Sequence, residues 1–447
     1  MTFPGSRFIT LAAVLTAGVA ASLGAAETAA VAASAPPVIN TGDTAWVMVS
    51  AAWVLFMTIP GLALFYGGLV RTKNVLTILV QCFAVTALIT VLWLLYGYSL
   101  CFTDGGALNT VIGGWSKAFL RGVTVDSMSG SDPAHLIPET VFCCFQLTFA
   151  IITPALLVGA FAERLRFGVV LAFSALWFTL VYIPICHMAW GGEKTLFALW
   201  GLKDLAGGTV VEINSGIAGL VAALVVGRRT GYPHEPMMPH NVVMCLTGGA
   251  MLWVGWFGFN AGSAVSANGQ AGMAMLTTQI AAAAAALAWM FIEYLKYRKV
   301  SALGLVTGAV GGLVAITPAC GYVGPGGALV IGATAGAMCW FFISVIKRRA
   351  GYDDTLDVFG VHGVGGLIGT LLTGVFCVKW LGGQHDVDMG AQVWAQLKAM
   401  AVTIAWSGVG TFAIMKILDL TIGVRAKPAH EFSGLDVSQH GEAAYNH

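Results

Sequence analysis

Hydrophobic positions in this chain do not alternate with polar ones; they come in runs about as long as a bilayer is thick. Taking roughly 20 apolar residues as one helical crossing, eleven runs follow one another. They lie at about 44–70, 75–101, 136–161, 168–186, 207–227, 241–261, 271–294, 302–320, 326–346, 357–378 and 395–422. None shows the ten-residue in–out alternation of a membrane-barrel strand. Backbone N–H and C=O groups in hydrocarbon must be paired within their own segment, so the runs predict helices. The expected fold class is an all-α polytopic membrane protein with eleven transmembrane helices.

The polar residues between the runs are sorted by charge. Arg71 and Lys73 follow the first run, Arg164 and Arg166 the third, and Arg228 and Arg229 the fifth. Lys296, Arg298 and Lys299 follow the seventh, Lys347, Arg348 and Arg349 the ninth, and Arg425 and Lys427 the eleventh. The loops after even runs carry only Lys117, Arg121, Lys194, Lys203 and Lys379, mixed with acids. The positive-inside rule then puts the N-terminus outside and the C-terminus inside. Ahead of the first run, Arg7 precedes an apolar stretch and alanine-rich sequence. That pattern predicts a signal peptide over 1–26, cut near Ala26; an uncleaved signal anchor is the alternative. The domains are then the leader at 1–26, a membrane domain at 40–424 and a cytoplasmic tail at 425–447.

Composition agrees with the pattern. The 447 residues are 57% hydrophobic and 10% charged, with a mean hydropathy of +0.82. So few charges cannot cover the surface of a soluble domain. A net charge of +1 gives no field to attract nucleic acid, which is excluded as a partner. The nine cysteines are scattered, and the adjacent Cys143 and Cys144 have no metal-ligand spacing, so they read as buried apolar residues. No phosphate-binding loop, nucleotide fingerprint or metal constellation is present, so no cofactor and no metal are expected.

Two runs break the apolar rule in the same way. Residues 204–219 read DLAGGTVVEINSGIAG, and residues 357–369 read DVFGVHGVGGLIG. With Glu212 placed on His362, glycines coincide four residues on (Gly216, Gly366) and seven on (Gly219, Gly369). These offsets share a helical face, so an ionisable group stands above a small-residue packing stripe in both helices. The runs are five apart and so oppositely directed, which predicts a 5+5 inverted repeat plus one C-terminal helix, with a site near the midplane. Coincidence among many glycines is the alternative. An ionisable side chain at that depth is costly and ordinarily faces a cavity or a partner. Glu212 and His362 are expected to meet, either as a functional pair or as a hydrogen bond locking two helices.

Longer stretches carry a resemblance. They are LFMTIPGLALFYGGLVRTKN (55–74), GAFAERLRF (159–167), HMAWGG (187–192), DLAGGTVV (204–211), GWFGFNAGSA (255–264), TPACGYVGPGGA (317–328), DVFGVHGVGG (357–366) and GLDVSQHGEAAY (434–445). With these the chain resembles the Amt/Mep/Rh family of ammonium transporters over nearly its whole length after the leader. The resemblance implies an outer vestibule that recruits ammonium through Phe149, Trp190 and Ser263, and a gate of two stacked rings, Phe149 and Phe259. Behind the gate it implies an apolar lumen with two histidines. His362 matches the second; Glu212 stands where the first would be, a departure shared by a minority of members. Trp256 and Tyr66 match positions linked to the lumen and proton path, and Asp204 matches an aspartate near the vestibule, its spacing suiting a helix cap. His187 reads as structural.

The chemistry of these residues suits that function. An aromatic face attracts a desolvated cation, and a hydroxyl oxygen accepts an N–H bond. Ammonium crossing a dry pore as an ion would meet a large desolvation cost, whereas ammonia would not. The expected function is electrogenic ammonium uptake: deprotonation at the vestibule, ammonia conduction, and a separate proton relay through Glu212 and His362. A passive ammonia or carbon dioxide channel of the Rh type is the alternative. An intramembrane hydrolase built on Ser263 and His362 has no GxSxG elbow to support it, and no enzyme activity is expected. By resemblance the chain forms a homotrimer in the bacterial inner (plasma) membrane, multi-pass in the bilayer, with a PII-type signalling protein as a possible cytoplasmic partner.

Overall fold

Side chains of the loop residues set where the helices begin. Asn40, Asn241, Asn268, Ser301 and Asp388 each accept a hydrogen bond from the backbone N–H three residues on, capping the helix that follows. The structure, a computed structural model, describes residues 38–130 and 132–445; the expected leader at 1–26 lies outside the described residues.

Ten helices among the described residues are long and apolar enough to cross a membrane: α1 (Thr41–Leu69), α2 (Thr72–Phe102), α3 (Glu139–Leu157), α4 (Phe167–Trp190), α5 (Gly208–Val226), α6 (Val242–Gly262), α7 (Gly269–Tyr297), α9 (Pro325–Ala350), α10 (Phe359–Phe376) and α11 (Met389–Ile422). Between α7 and α9 lies α8 (Ala302–Ile316), a shorter apolar helix of 15 residues. The run expected at 302–320 is therefore helical only in part. It ends at Thr317 and Pro318, because proline has no N–H to continue the ladder and its ring clashes with the carbonyl four residues back.

α5 and α10 cross at the centre. A Cβ placed on Gly216 would lie 2.1 Å from the Gly363 nitrogen, and one on Gly366 would lie 2.8 Å from Glu212 Cβ and 2.9 Å from the Ile213 nitrogen. Each glycine thus packs against the residue following the other helix's ionisable group. Gly208 meets Thr370 and Gly219 meets Val358, so numbers rise along one helix as they fall along the other, and the two are antiparallel. Both open on a widened π turn, Gly208–Ile213 and Phe359–Gly363, which carries the ionisable residue. The small-residue stripe is what lets the backbones approach so closely.

The basic loops do not simply point into water. Glu163 accepts from Arg71 N and Nε at 2.8 Å each. Arg229 grips Asp353 with Nε at 2.9 Å and Nη2 at 2.8 Å, a bidentate pairing suited to guanidinium. Arg164, fully buried, reaches the Asp353 and Ala160 carbonyls at 2.9 and 2.5 Å. Burial works against charge on Glu163 and Asp353, yet the arginines outweigh it and hold both carboxyls below their ordinary range. This network ties together the ends of α1, α3, α5 and α9 on one face.

The tail is ordered against the same face. Asp436 accepts from Leu76 N at 3.0 Å and Thr77 N at 2.8 Å, capping the first turns of α2, and Leu435 N donates to Asn74 at 2.8 Å. Of the nine cysteines eight are buried; Cys144 is exposed, so the apolar-interior reading does not extend to it.

Candidate functional site

The site lies along one line through the centre of the helices. At one end, on the face away from the basic loops, α4 ends at Trp190 and α6 ends just before Ser263. The indole Nε1 donates to the Asp204 carbonyl at 3.2 Å, which fixes the ring. The Trp190 ring meets Phe149 edge-on, with centroids 5.7 Å apart and planes at 90°. Ser263 stands one helical turn beyond Phe259 and donates its proton to the Phe259 carbonyl at 2.7 Å. Its oxygen can then act only as an acceptor, the role a cationic N–H donor needs.

Phe149, from α3, and Phe259, from α6, lie with centroids 4.3 Å apart and planes inclined by 32°. Both are essentially inaccessible to solvent. Trp256 backs Phe259 at 5.6 Å, and its Nε1 is held by Thr317 Oγ1 at 2.9 Å.

Behind the rings is a narrow cavity lined by Phe259, Trp256, Tyr66, Val310, Glu212 and His362, among others. Its free volume is about 10 Å³, room for roughly one small molecule. His362 Nδ1 and Glu212 Oε2 are 2.7 Å apart, and both residues are buried. At that distance one proton sits between them: the imidazole donates to a carboxylate, or a carboxylic acid donates to the imidazole. Nε2 of His362 makes no hydrogen bond to the described residues and remains available to the lumen. The Tyr66 hydroxyl donates to the Leu156 carbonyl at 3.2 Å, so the ring is fixed as part of the wall.

His362 and Tyr66 also line a second, wider cavity of about 340 Å³ on the basic side, with Glu293, Ser301, Arg348 and Asp357. The path therefore runs from aromatic rings, through a tight apolar space with one ionisable pair, to a polar mouth.

Asp204 does not face this path. Its Oδ1 accepts Gly207 N at 2.9 Å and Gly208 N at 2.6 Å, and its Oδ2 accepts Thr209 N at 2.7 Å and Thr209 Oγ1 at 2.5 Å. It anchors the first turn of α5. Sequence reasoning missed its counterpart. Asp354 accepts Val358 N at 3.1 Å and Phe359 N at 2.8 Å, the same four- and five-residue offsets. It precedes His362 by eight residues, as Asp204 precedes Glu212; that shared spacing was the signal. His187 lies outside the path, each ring nitrogen 2.8 Å from a backbone carbonyl, of Cys101 and of Asn109.

Fold and site together define a polytopic helical membrane protein with two stacked rings against a narrow cavity that holds a buried ionisable pair. Residues 45–445 match the model of the Ammonium Transporter Family, and the chain belongs to that family. A Bacillus subtilis protein named ammonium transporter is 44% identical over 411 residues, spanning 91% of this chain and 99% of its own. The crystal structure of Saccharomyces cerevisiae Mep2 is similar with a TM-score of 0.79 and 32% identity, covering 87% and 88% of the two chains. A structure described as a sensor Amt protein gives 0.82 and 28%, covering 89% and 98%.

Proposed function

We propose that the chain is an ammonium transporter that splits its substrate: ammonium is recruited and deprotonated at the vestibule, ammonia passes the rings, and the proton follows through Glu212 and His362. One observation carries this reading, the 2.7 Å contact between a glutamate and a histidine inside a cavity too small and apolar to hydrate an ion. Trp190 and Phe149 offer ring faces to the arriving cation, and the Ser263 oxygen accepts one of its N–H bonds. The rings exclude water, so the neutral species passes at far lower cost than the ion. Protonation of His362 creates a cation beside Glu212, and the charge of the proton is held by the pair while ammonia diffuses past it.

The same reading makes the chain an eleven-span protein of two inverted halves, with α8 as the eighth crossing. The basic face is cytoplasmic, the leader at 1–26 is removed, and 40–424 forms the membrane domain. The tail from 425 lies under the pore, where a PII-type partner would dock. The assembly is a homotrimer in the bacterial inner membrane.

Solid-supported-membrane electrophysiology on purified protein tests the reading. An ammonium pulse evokes a current in the direction of cation entry. Ammonia flux without current would replace this proposal with a passive channel of the Rh type.

A further inference from the structure

We propose that Asp357 is the residue that takes the proton from His362 at the basic mouth of the pore and passes it to bulk water. The inference rests on the reading of Glu212 and His362 as a relay and extends it by one step. Three carboxylates stand near that mouth, and their hydrogen bonds separate them. Glu293 is filled by Trp289 Nε1 and by the Ser301 backbone and hydroxyl, at 2.9–3.1 Å. Asp354 is filled by two helix N–H groups. Asp357 has Oδ1 on Lys347 Nζ at 2.6 Å, while its Oδ2 accepts no hydrogen bond from the described residues.

Position agrees with this choice. Asp357 and His362 line the same 340 Å³ cavity, and the Asp357 side chain is 28% exposed, the lip through which a proton can leave. The two are five residues apart in the chain: Asp357 stands at the turn leading into α10, where its carbonyl accepts Val361 N at 2.9 Å, and His362 lies in the π turn that follows. Asp357 is also held at φ +61°, a left-handed conformation that L-residues seldom adopt. Non-glycine residues held so collect at functional sites. The charged and titratable groups facing it are Lys347, Arg348, Glu293, Asp354, Tyr66, Tyr352 and His362.

The step balances. The Nε2–H bond of the imidazolium breaks as an O–H bond forms on a cavity water. That water gives up another proton to Oδ2, leaving neutral imidazole, water and a carboxylic acid. Loss of the acid's proton to the bulk restores the carboxylate on Lys347.

The test uses the full chain in liposomes with Asp357→Gly and Asp357→Asn. Glycine takes the left-handed backbone without strain, so its fold is kept while the carboxyl is lost. We expect ammonium-evoked current to fall at least about a hundredfold in both, the lower range for losing a proton-transfer group. We also expect the wild-type dependence of current on pH at the basic face to vanish in both, and to move towards neutrality in Asp357→His. Wild-type current with unchanged pH dependence in the glycine and asparagine variants overturns the exit step. If Glu212→Gln then lacks current, the relay stands without it; if Glu212→Gln keeps current, both fall.

Discussion

Glu212 and His362 reach one another, Nδ1 to Oε2 at 2.7 Å, from two antiparallel helices that touch through glycine on either side of the pair. Each side chain satisfies the other where lipid and the cavity offer nothing else, which answers the cost of placing an acid in the membrane. The contact depends on helix packing as much as on the two residues, and the first prediction tests that dependence.

Gly216→Ala adds a Cβ that would sit 2.1 Å from backbone of α10, an atom that cannot rotate away. The helices must separate. We expect a loss of about 1–3 kcal/mol, the usual cost of overpacking, seen as a lower thermal midpoint in detergent, together with reduced ammonium current. Gly168→Ala, where a Cβ meets nothing within 4 Å, is the control and leaves both unchanged. Equal midpoints for the two variants would mean that the crossing is not tight.

Trp190→Leu removes one ring face from the vestibule and frees the Asp204 carbonyl, while Phe149 and Phe259 stay in place. A cation–π contact of about 0.5–2 kcal/mol converts to a half-saturating ammonium concentration roughly 2- to 30-fold higher. Half-saturation from current against ammonium concentration checks it; an unchanged value assigns the tryptophan to the membrane interface alone.

Neighbouring carboxyls on the basic face titrate in opposite senses. Burial pushes Asp354 up to about 6 from an ordinary value near 3.8, with Lys347 opposing only in part. Its folded value lies above its unfolded one, so the folded state binds the extra proton between those values, and this group adds stability as pH falls from 6 towards 4. Asp353 is held low by Arg229 and Arg164 against burial; its contribution is complete above the unfolded value and is lost as pH falls below it. Thermal midpoints against pH should therefore rise more slowly in Asp354→Asn than in wild type over pH 6 to 4, by an integrated amount of about 3 kcal/mol at most. In Asp353→Asn the loss below pH 4 should shrink. Parallel curves for wild type and Asp354→Asn would contradict the assignment.

Much of this architecture was legible because hydrophobic runs and lipid impose a simple rule: ten of the eleven expected apolar runs are helices of crossing length, the basic loops gather on one face, and two glycine-spaced helices carry an ionisable residue each. What escaped depended on contacts between distant parts of the chain. Arg164 and Arg229 counted as loop charges, yet they are buried against Asp353 and Glu163, pairings that no local pattern announces. Asp354 was overlooked because Asp357 stands nearer to His362, although the eight-residue spacing to Asp204 and Glu212 was there to be read. The left-handed Asp357 has no sequence signature, since aspartate is only one of several residues that tolerate it. The end of α8 at Thr317 and Pro318 was written in the sequence, but apolar residues on both sides masked it.

The central claim is that Glu212 exchanges a proton with His362. Glu212→Gln tests it most directly, because glutamine keeps the shape and a hydrogen bond to the imidazole but has no ionisable group at that position. Ammonium pulses on this variant, reconstituted at matched density, should give a current reduced by about a hundredfold, the lower range for losing a proton-transfer group. An undiminished current that still carries protons would contradict it.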